Sequence, residues 1–146
     1  MSPGNQEYVD KLKMRGIRPT SNRILVLRAM MDRDEALSIM DIETILDTVD
    51  KSTIFRTITL FHAQHLIHSI DDGSGSLKYA VCDNDCTCSV EDQHTHFRCE
   101  ICQRTFCFDH IHVPKVKLPD GFVLDSINYV MKGICPDCVK KRRGSL

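Results

Sequence analysis

The densest chemistry in the chain lies in "HTHFRCEIC", residues His94 to Cys102, and in "ICPDC" further on. Cys99 and Cys102 form one C-x2-C pair and Cys135 and Cys138 a second, with residues 103–134 between them. Each pair offers two thiolates from a single tight turn. Two pairs complete the tetrahedral four-sulfur shell that zinc favours. A closed shell leaves no position for a substrate, so the spacing predicts a structural zinc ion that ties a segment too small for its own core. The rival reading is a reversible disulfide switch, because zinc-bound C-x2-C pairs can oxidise.

His94 and His96 are separated by one residue, which on a strand turns both imidazoles to one face. A lone H-x-H also occurs on ordinary surfaces, so its companions decide its weight. Cys82 ends a β-rich run, His68 lies in the β-rich run before it, and Cys107 follows the first C-x2-C pair. Converging across a linker, these residues would form a mixed nitrogen and sulfur site suited to zinc, coupling metal occupancy to the angle between two domains. Asp109, His110 and His112 offer a further, unassigned ligand group, and Cys86 and Cys88 have no assigned structural role.

The elements that must position these residues follow from periodicity. "NQEYVDKLKMRG" reads as a first helix ending near Gly16, and "PTSNRILVLRAMMDR" as a second with Ile24, Leu25, Leu27, Met30 and Met31 on its apolar face. "LSIMDIETILDTVD" reads as a third helix capped by Ser38. "KSTIFRTITLFHAQHLI" reads as a fourth, with Ser52 as cap and Ile54, Ile58, Phe61, His65 and Leu66 on one face. "LIHSI", "DDGSGS" and "LKYAV" make a hairpin. Helices followed by a two-stranded hairpin are the plan of a winged helix-turn-helix, whose last helix enters the major groove.

The expected fold is therefore α+β. A winged-helix domain spans residues 1–82, a polar, cysteine-rich linker 83–93, and a small, mostly β, metal-binding domain 94–146. In the last, "HTHFRCEI", "RTFCFDHIHV" and "SINYVMKGI" read as strands, "PKVKLPDGF" as an irregular connection, and "KKRRGSL" as a frayed basic tail.

Composition fits this plan. The 146 residues are 42% hydrophobic and 27% charged, with no apolar run near a membrane span and no apolar signal core at the start, so a cytoplasmic, reduced protein is expected. A net charge of −1 excludes a uniformly basic nucleic-acid binder. The charge is uneven, however: Lys11 to Arg28 and Lys51 to Ile70 contain no acid, which predicts one positive face. Enzyme chemistry is not expected. The C-P-D-C pair resembles part of a deaminase signature, but no H-x-E or C-x-E partner supplies the general acid or base.

With "GIRPTSNR", "STIFRTI" and "HTHFRCEIC…ICPDC" together, the chain resembles the ferric uptake regulator family over about residues 8 to 140. That resemblance implies a homodimeric, metal-dependent repressor acting on a palindromic operator in double-stranded DNA. It implies structural zinc on Cys99, Cys102, Cys135 and Cys138. It places Phe55 and Arg56 at the family's Tyr-Arg pair, within a reading segment that includes Lys51, Ser52 and Thr53, and makes Arg18 and Arg23 phosphate or groove contacts. His94 and His96 match the sensory histidines. Iron and peroxide branches place a histidine where this chain has Ala36, whereas the zinc uptake branch places a cysteine where "YAVC" has Cys82 and a ligand at the position of His68. The implied regulatory site is His68, Cys82, His94 and His96, with Cys107 where relatives carry a carboxylate. Thiolate and imidazole favour Zn2+ over Fe2+ in it. The alternatives are an iron-responsive regulator of the same family, or a thiol or peroxide redox sensor.

Overall fold

A computed structural model describes residues 3–81, 94–125 and 127–144. Four helices open the chain: α1 (Gln6–Met14), α2 (Ser21–Met31), α3 (Ile39–Ile45) and α4 (Lys51–Ala63). Their starts follow local chemistry. Thr20 Oγ1 accepts from the Arg23 amide at the head of α2, and Ser38 with Asp41 closes a reciprocal capping box on α3. α4 corrects the expected start: it begins at Lys51, with Asp50 in the cap position and the Ser52 hydroxyl donating to the Asp50 carboxylate. Its β-branched residues are accommodated by back-bonding, Thr57 Oγ1 donating to the Thr53 carbonyl at 2.7 Å and Thr59 Oγ1 to that of Phe55 at 2.8 Å.

Two expected core positions change. His65 is exposed, because α4 ends at Ala63 and the chain turns through φ 61° at His65 to enter the next strand. In α2, Val26 is buried and Leu25 is exposed, a shift of one residue around the helix. The core gathers Leu12, Ile17, Val26, Leu27, Ile42, Ile54, Ile58 and Phe61 beneath the wing residues Leu66 and Ile67.

The wing pairs β1 (Ile67–Ile70) antiparallel with β2 (Lys78–Val81), Ile67 opposite Val81 and His68 opposite Ala80. Leu37 adds a bridge to Tyr79 at the wing's edge. Its neighbour Ala36 bridges instead to Thr105 in the second domain. The stretch before α3 is therefore shared between the two sheets.

The second sheet has the order β4-β3-β5. β3 (His94–Cys99) runs antiparallel to β4 (Thr105–His112) and parallel to β5 (Val130–Gly133). The expected frayed tail is instead a helix, α5 (Pro136–Gly144), with proline at its first position and Asp137 in its first turn. The buried cluster here is Cys99, Cys135 and Cys138, with Phe106 and Ile134 packed against it. Exposed apolar side chains follow along the connection and the sheet edge: Ile111, Val116, Phe122, Val123 and Tyr129. Among the described residues no helix is long and apolar enough to cross a membrane.

Candidate metal centres and the exposed face of the fourth helix

The sheet turn at Cys99 and Cys102 and the start of α5 at Cys135 and Cys138 bring all four sulfur atoms within 4.8 Å of one another. Cys102 Sγ lies 3.7 Å from Cys135 Sγ. Tetrahedral zinc with bonds of about 2.3 Å sets its sulfurs about 3.8 Å apart, so the four cysteines fit the ion. Burial alone would push the Cys99 thiol up, but the Cys102 and Cys135 amides, 3.5 and 3.4 Å from its sulfur, bring it down to about 6. Burial pushes the Cys138 thiol up to about 12. The amides thus favour the thiolate on Cys99, the charge state in which sulfur binds a metal.

A second cluster joins the two domains. His68 of β1, His96 of β3 and Cys107 of β4 each offer a ligand atom, all within 4.8 Å of one another. His96 and Cys107 are cross-strand partners in the β3–β4 register, which alone places them side by side. His68 arrives from the wing, its Nε2 3.7 Å from Cys107 Sγ and its ring centroid 5.6 Å from that of His96. A tetrahedral ion with one imidazole and one thiolate sets those donors about 3.6 Å apart, so this group also fits zinc. Cys82, Cys86 and Cys88 lie outside the described residues. His94 opens β3 opposite His112, and one step along β3 the pairing moves to Thr95 opposite Phe108, so the extra residues of the irregularity lie on β4. The side chains of His94, Asp109 and His110 lie outside what is described. Ala36 is buried and offers no ligand atom; its amide donates to the Thr105 carbonyl at 2.6 Å.

On α4, Ser52, Phe55, Arg56 and Thr59 are exposed at helical spacing, and Lys51 is exposed at its head. Phe55 is 58% exposed, which no packing role in the monomer explains. Arg23, Thr53, Arg56 and Thr57 line a cleft between α2 and α4. Arg18 is exposed, and its carbonyl accepts from Arg23 Nη1 at 2.8 Å, a bond that holds the turn before α2.

The groups that seal the domains together leave no mark in the sequence. Asp72, in the wing turn, is buried and accepts from Thr105 Oγ1 of β4 at 2.6 Å, with Lys78 Nζ at 3.4 Å. Burial pushes its carboxyl up, but hydrogen bonds from Ser74 and Thr105 and the Lys78 charge outweigh it and hold the group well below the ordinary carboxylate range. Asn128 Nδ2 donates to the Asp71 carbonyl at 2.8 Å nearby. "DDG" reads only as turn chemistry in the sequence; nothing in its spacing signals a partner in residue 105.

The model of the ferric uptake regulator family matches residues 14–120. The chain belongs to the ferric uptake regulator family. Among similar proteins, the ferric uptake regulation protein of Bordetella parapertussis is 27% identical over 141 residues, covering 90% of this chain and 96% of that one. The transcriptional regulator FurA of Mycobacterium tuberculosis is 26% identical over 143 residues, covering 90% of each. A solved zinc uptake regulator complexed with zinc and DNA superposes with a TM-score of 0.65 at 20% identity, over 95% of this chain and 97% of that one. The α+β plan, helices and wing first and sheet after, is thus the fold of the ferric uptake regulator family.

Proposed function

We propose that this ferric uptake regulator family member is a homodimeric, zinc-responsive repressor that binds a palindromic operator in the cytoplasm and performs no catalysis. The observation that carries the reading is the approach of His68, on the wing, to His96 and Cys107, on the second sheet. A metal on these three residues is bound by both domains at once. It therefore stabilises the relative orientation in which they meet, and by linkage that orientation raises metal affinity. Cys82 or His94 would complete the shell. Two imidazoles and a thiolate select zinc over Fe2+, and the lack of a ligand atom at Ala36 supports the same choice.

The remaining residues take consistent roles. The four cysteines hold a structural zinc ion. Lys51, Arg56, Arg23 and Arg18 supply positive charge for phosphates, while Ser52, Thr53 and Phe55 face the base edges, Phe55 making apolar contact with a thymine methyl. The exposed apolar residues from Ile111 to Tyr129 supply a dimer interface, and two copies on a twofold axis match a palindromic site. The domain boundaries read from the sequence, with a hinge at 83–93, fit this arrangement.

Substitution in the cluster between the domains tests it. His68→Ala and Cys107→Ser should each lower metal content by one ion per chain, keep the four-cysteine metal and weaken operator binding about 10- to 100-fold. Unchanged DNA affinity with the metal lost would refute the reading. A thiol redox sensor is the second reading, motivated by eight cysteines of which Cys86 and Cys88 have no assigned structural role. It requires a disulfide and metal release after mild peroxide, both visible by mass spectrometry.

A further inference from the structure

The first strand residues after Cys102 connect the four-cysteine cluster to the winged-helix domain. Arg104 Nε lies 3.2 Å from Cys102 Sγ, and its Nη2 lies 3.5 Å from Cys135 Sγ and 2.9 Å from the Asp137 carboxylate. The same guanidinium stacks over the Phe106 ring, 5.3 Å from its centroid. The same Nε sits 3.7 Å from Glu35 Oε2, a buried oxygen of the winged-helix domain. One planar cation thus touches a cysteine from each C-x2-C pair and a carboxylate from across the domain boundary.

The adjacent backbone repeats the connection. Glu35 precedes Ala36, whose amide donates to the Thr105 carbonyl at 2.6 Å, and Ala36 precedes Leu37, which pairs with Tyr79 of the wing. Glu35, Ala36 and Leu37 thus link Arg104 and Thr105 to the bridge at the wing's edge.

We propose that Arg104 is a positioning residue through which the four-cysteine centre sets the placement of the winged-helix domain, independently of the hinge site at His68. Four thiolates around a divalent zinc leave two excess negative charges, and a guanidinium donating to two of the sulfurs offsets part of that excess while fixing its own plane. So fixed, with its one Nε–H given to Cys102 Sγ, the guanidinium holds its charge 3.7 Å from Glu35 Oε2. With the sulfurs displaced, Arg104 loses that anchor and its charge is no longer held beside Glu35. The "structural" centre then acts on DNA-domain placement as well as on the fold of its own domain. The proposal rests on the four-cysteine zinc reading above.

Amide hydrogen exchange at Ala36 in the zinc-loaded, full-length protein tests it. Arg104→Met and Glu35→Gln should each speed exchange at that amide about tenfold or more, while Ile58 and Phe61 in α4 stay within about twofold of the wild type. A second readout looks at the cysteine end. In protein given one equivalent of cobalt per chain, so that the four-thiolate centre fills first, Arg104→Met should move the sulfur-to-cobalt charge-transfer band to lower energy. Two hydrogen bonds that stabilise the sulfur lone pairs are then gone. Glu35→Gln, which touches no cysteine, should leave the band near its wild-type position. If Arg104→Met fails to retain metal, Glu35→Gln alone decides the domain end. An Ala36 amide as slow in Glu35→Gln as in the wild type overturns the proposal, as does one accelerated in Glu35→Gln but not in metal-retaining Arg104→Met. A wild type with no thiolate band would refute the four-cysteine centre itself, a failure distinct from that of the Arg104 connection.

Discussion

The two domains are held by different forces. The winged-helix domain buries aliphatic residues and Phe61 from four helices and the wing, each fully buried aliphatic or Phe side chain contributing about 1.5–3 kcal/mol. The second domain places Cys99, Cys135 and Cys138 where such a core would sit, while Phe122 and Val123 are exposed on the single chain. One region buries carbon, the other gathers sulfur around a point. On the proposed reading the contrast suits a sensor: a domain whose fold does not depend on metal would be oriented by one whose fold does.

The largest test of that contrast removes a sulfur. Cys135→Ser should abolish the four-thiolate centre, whose zinc in comparable sites contributes about 10–16 kcal/mol of apparent free energy at neutral pH. Exchange protection should vanish across β3, β4 and β5, with α2 and α4 protected as before. Protection retained in the second sheet would show that apolar packing holds it after all. The converse substitution, Phe61→Ala, should cost the winged-helix domain about 3–5 kcal/mol in denaturant titration, and zinc should stay on the cysteines. Zinc released together with helix unfolding would mean that the two regions fold as one unit.

A smaller effect is expected at the seam. Asp72→Asn weakens a buried charged hydrogen bond between the wing and Thr105, worth about 1.5–3 kcal/mol. Because the folded-state carboxyl titrates below its unfolded value of about 3.9, its contribution is fully present above about pH 5 and disappears as the pH falls through the folded-state value. The stability gap between wild type and Asp72→Asn should therefore be flat from about pH 7 to 5 and narrow in stronger acid. A gap that widens on acidification would mean that the carboxyl is protonated in the folded protein.

What the sequence disclosed follows the same division. The C-x2-C spacing identifies the four-sulfur cluster because both pairs act through local turns, and the cap at Ser38 marks the start of α3. α5 was hidden because its basic residues carry no apolar stripe; its anchors are Cys135 just before it and Cys138 within it, so its packing is read from sulfur rather than from periodicity. His65 was misplaced because helical spacing continues past Ala63, where a left-handed residue ends the helix. Arg104 with Glu35, and Asp72 with Thr105, were invisible for a more general reason. A single ion pair or hydrogen bond between residues far apart in the chain leaves no period and no motif.

The metal between the domains should leave, and DNA binding with it, while the four-cysteine metal still holds the second sheet. The direct measurement follows metal content, operator affinity and sheet exchange together while a chelator is titrated into the zinc-loaded dimer. The expected result is two steps: DNA affinity falls as the first ion per chain departs with β3, β4 and β5 still protected, and protection is lost only with the second. DNA binding that persists until the second ion leaves would contradict the account.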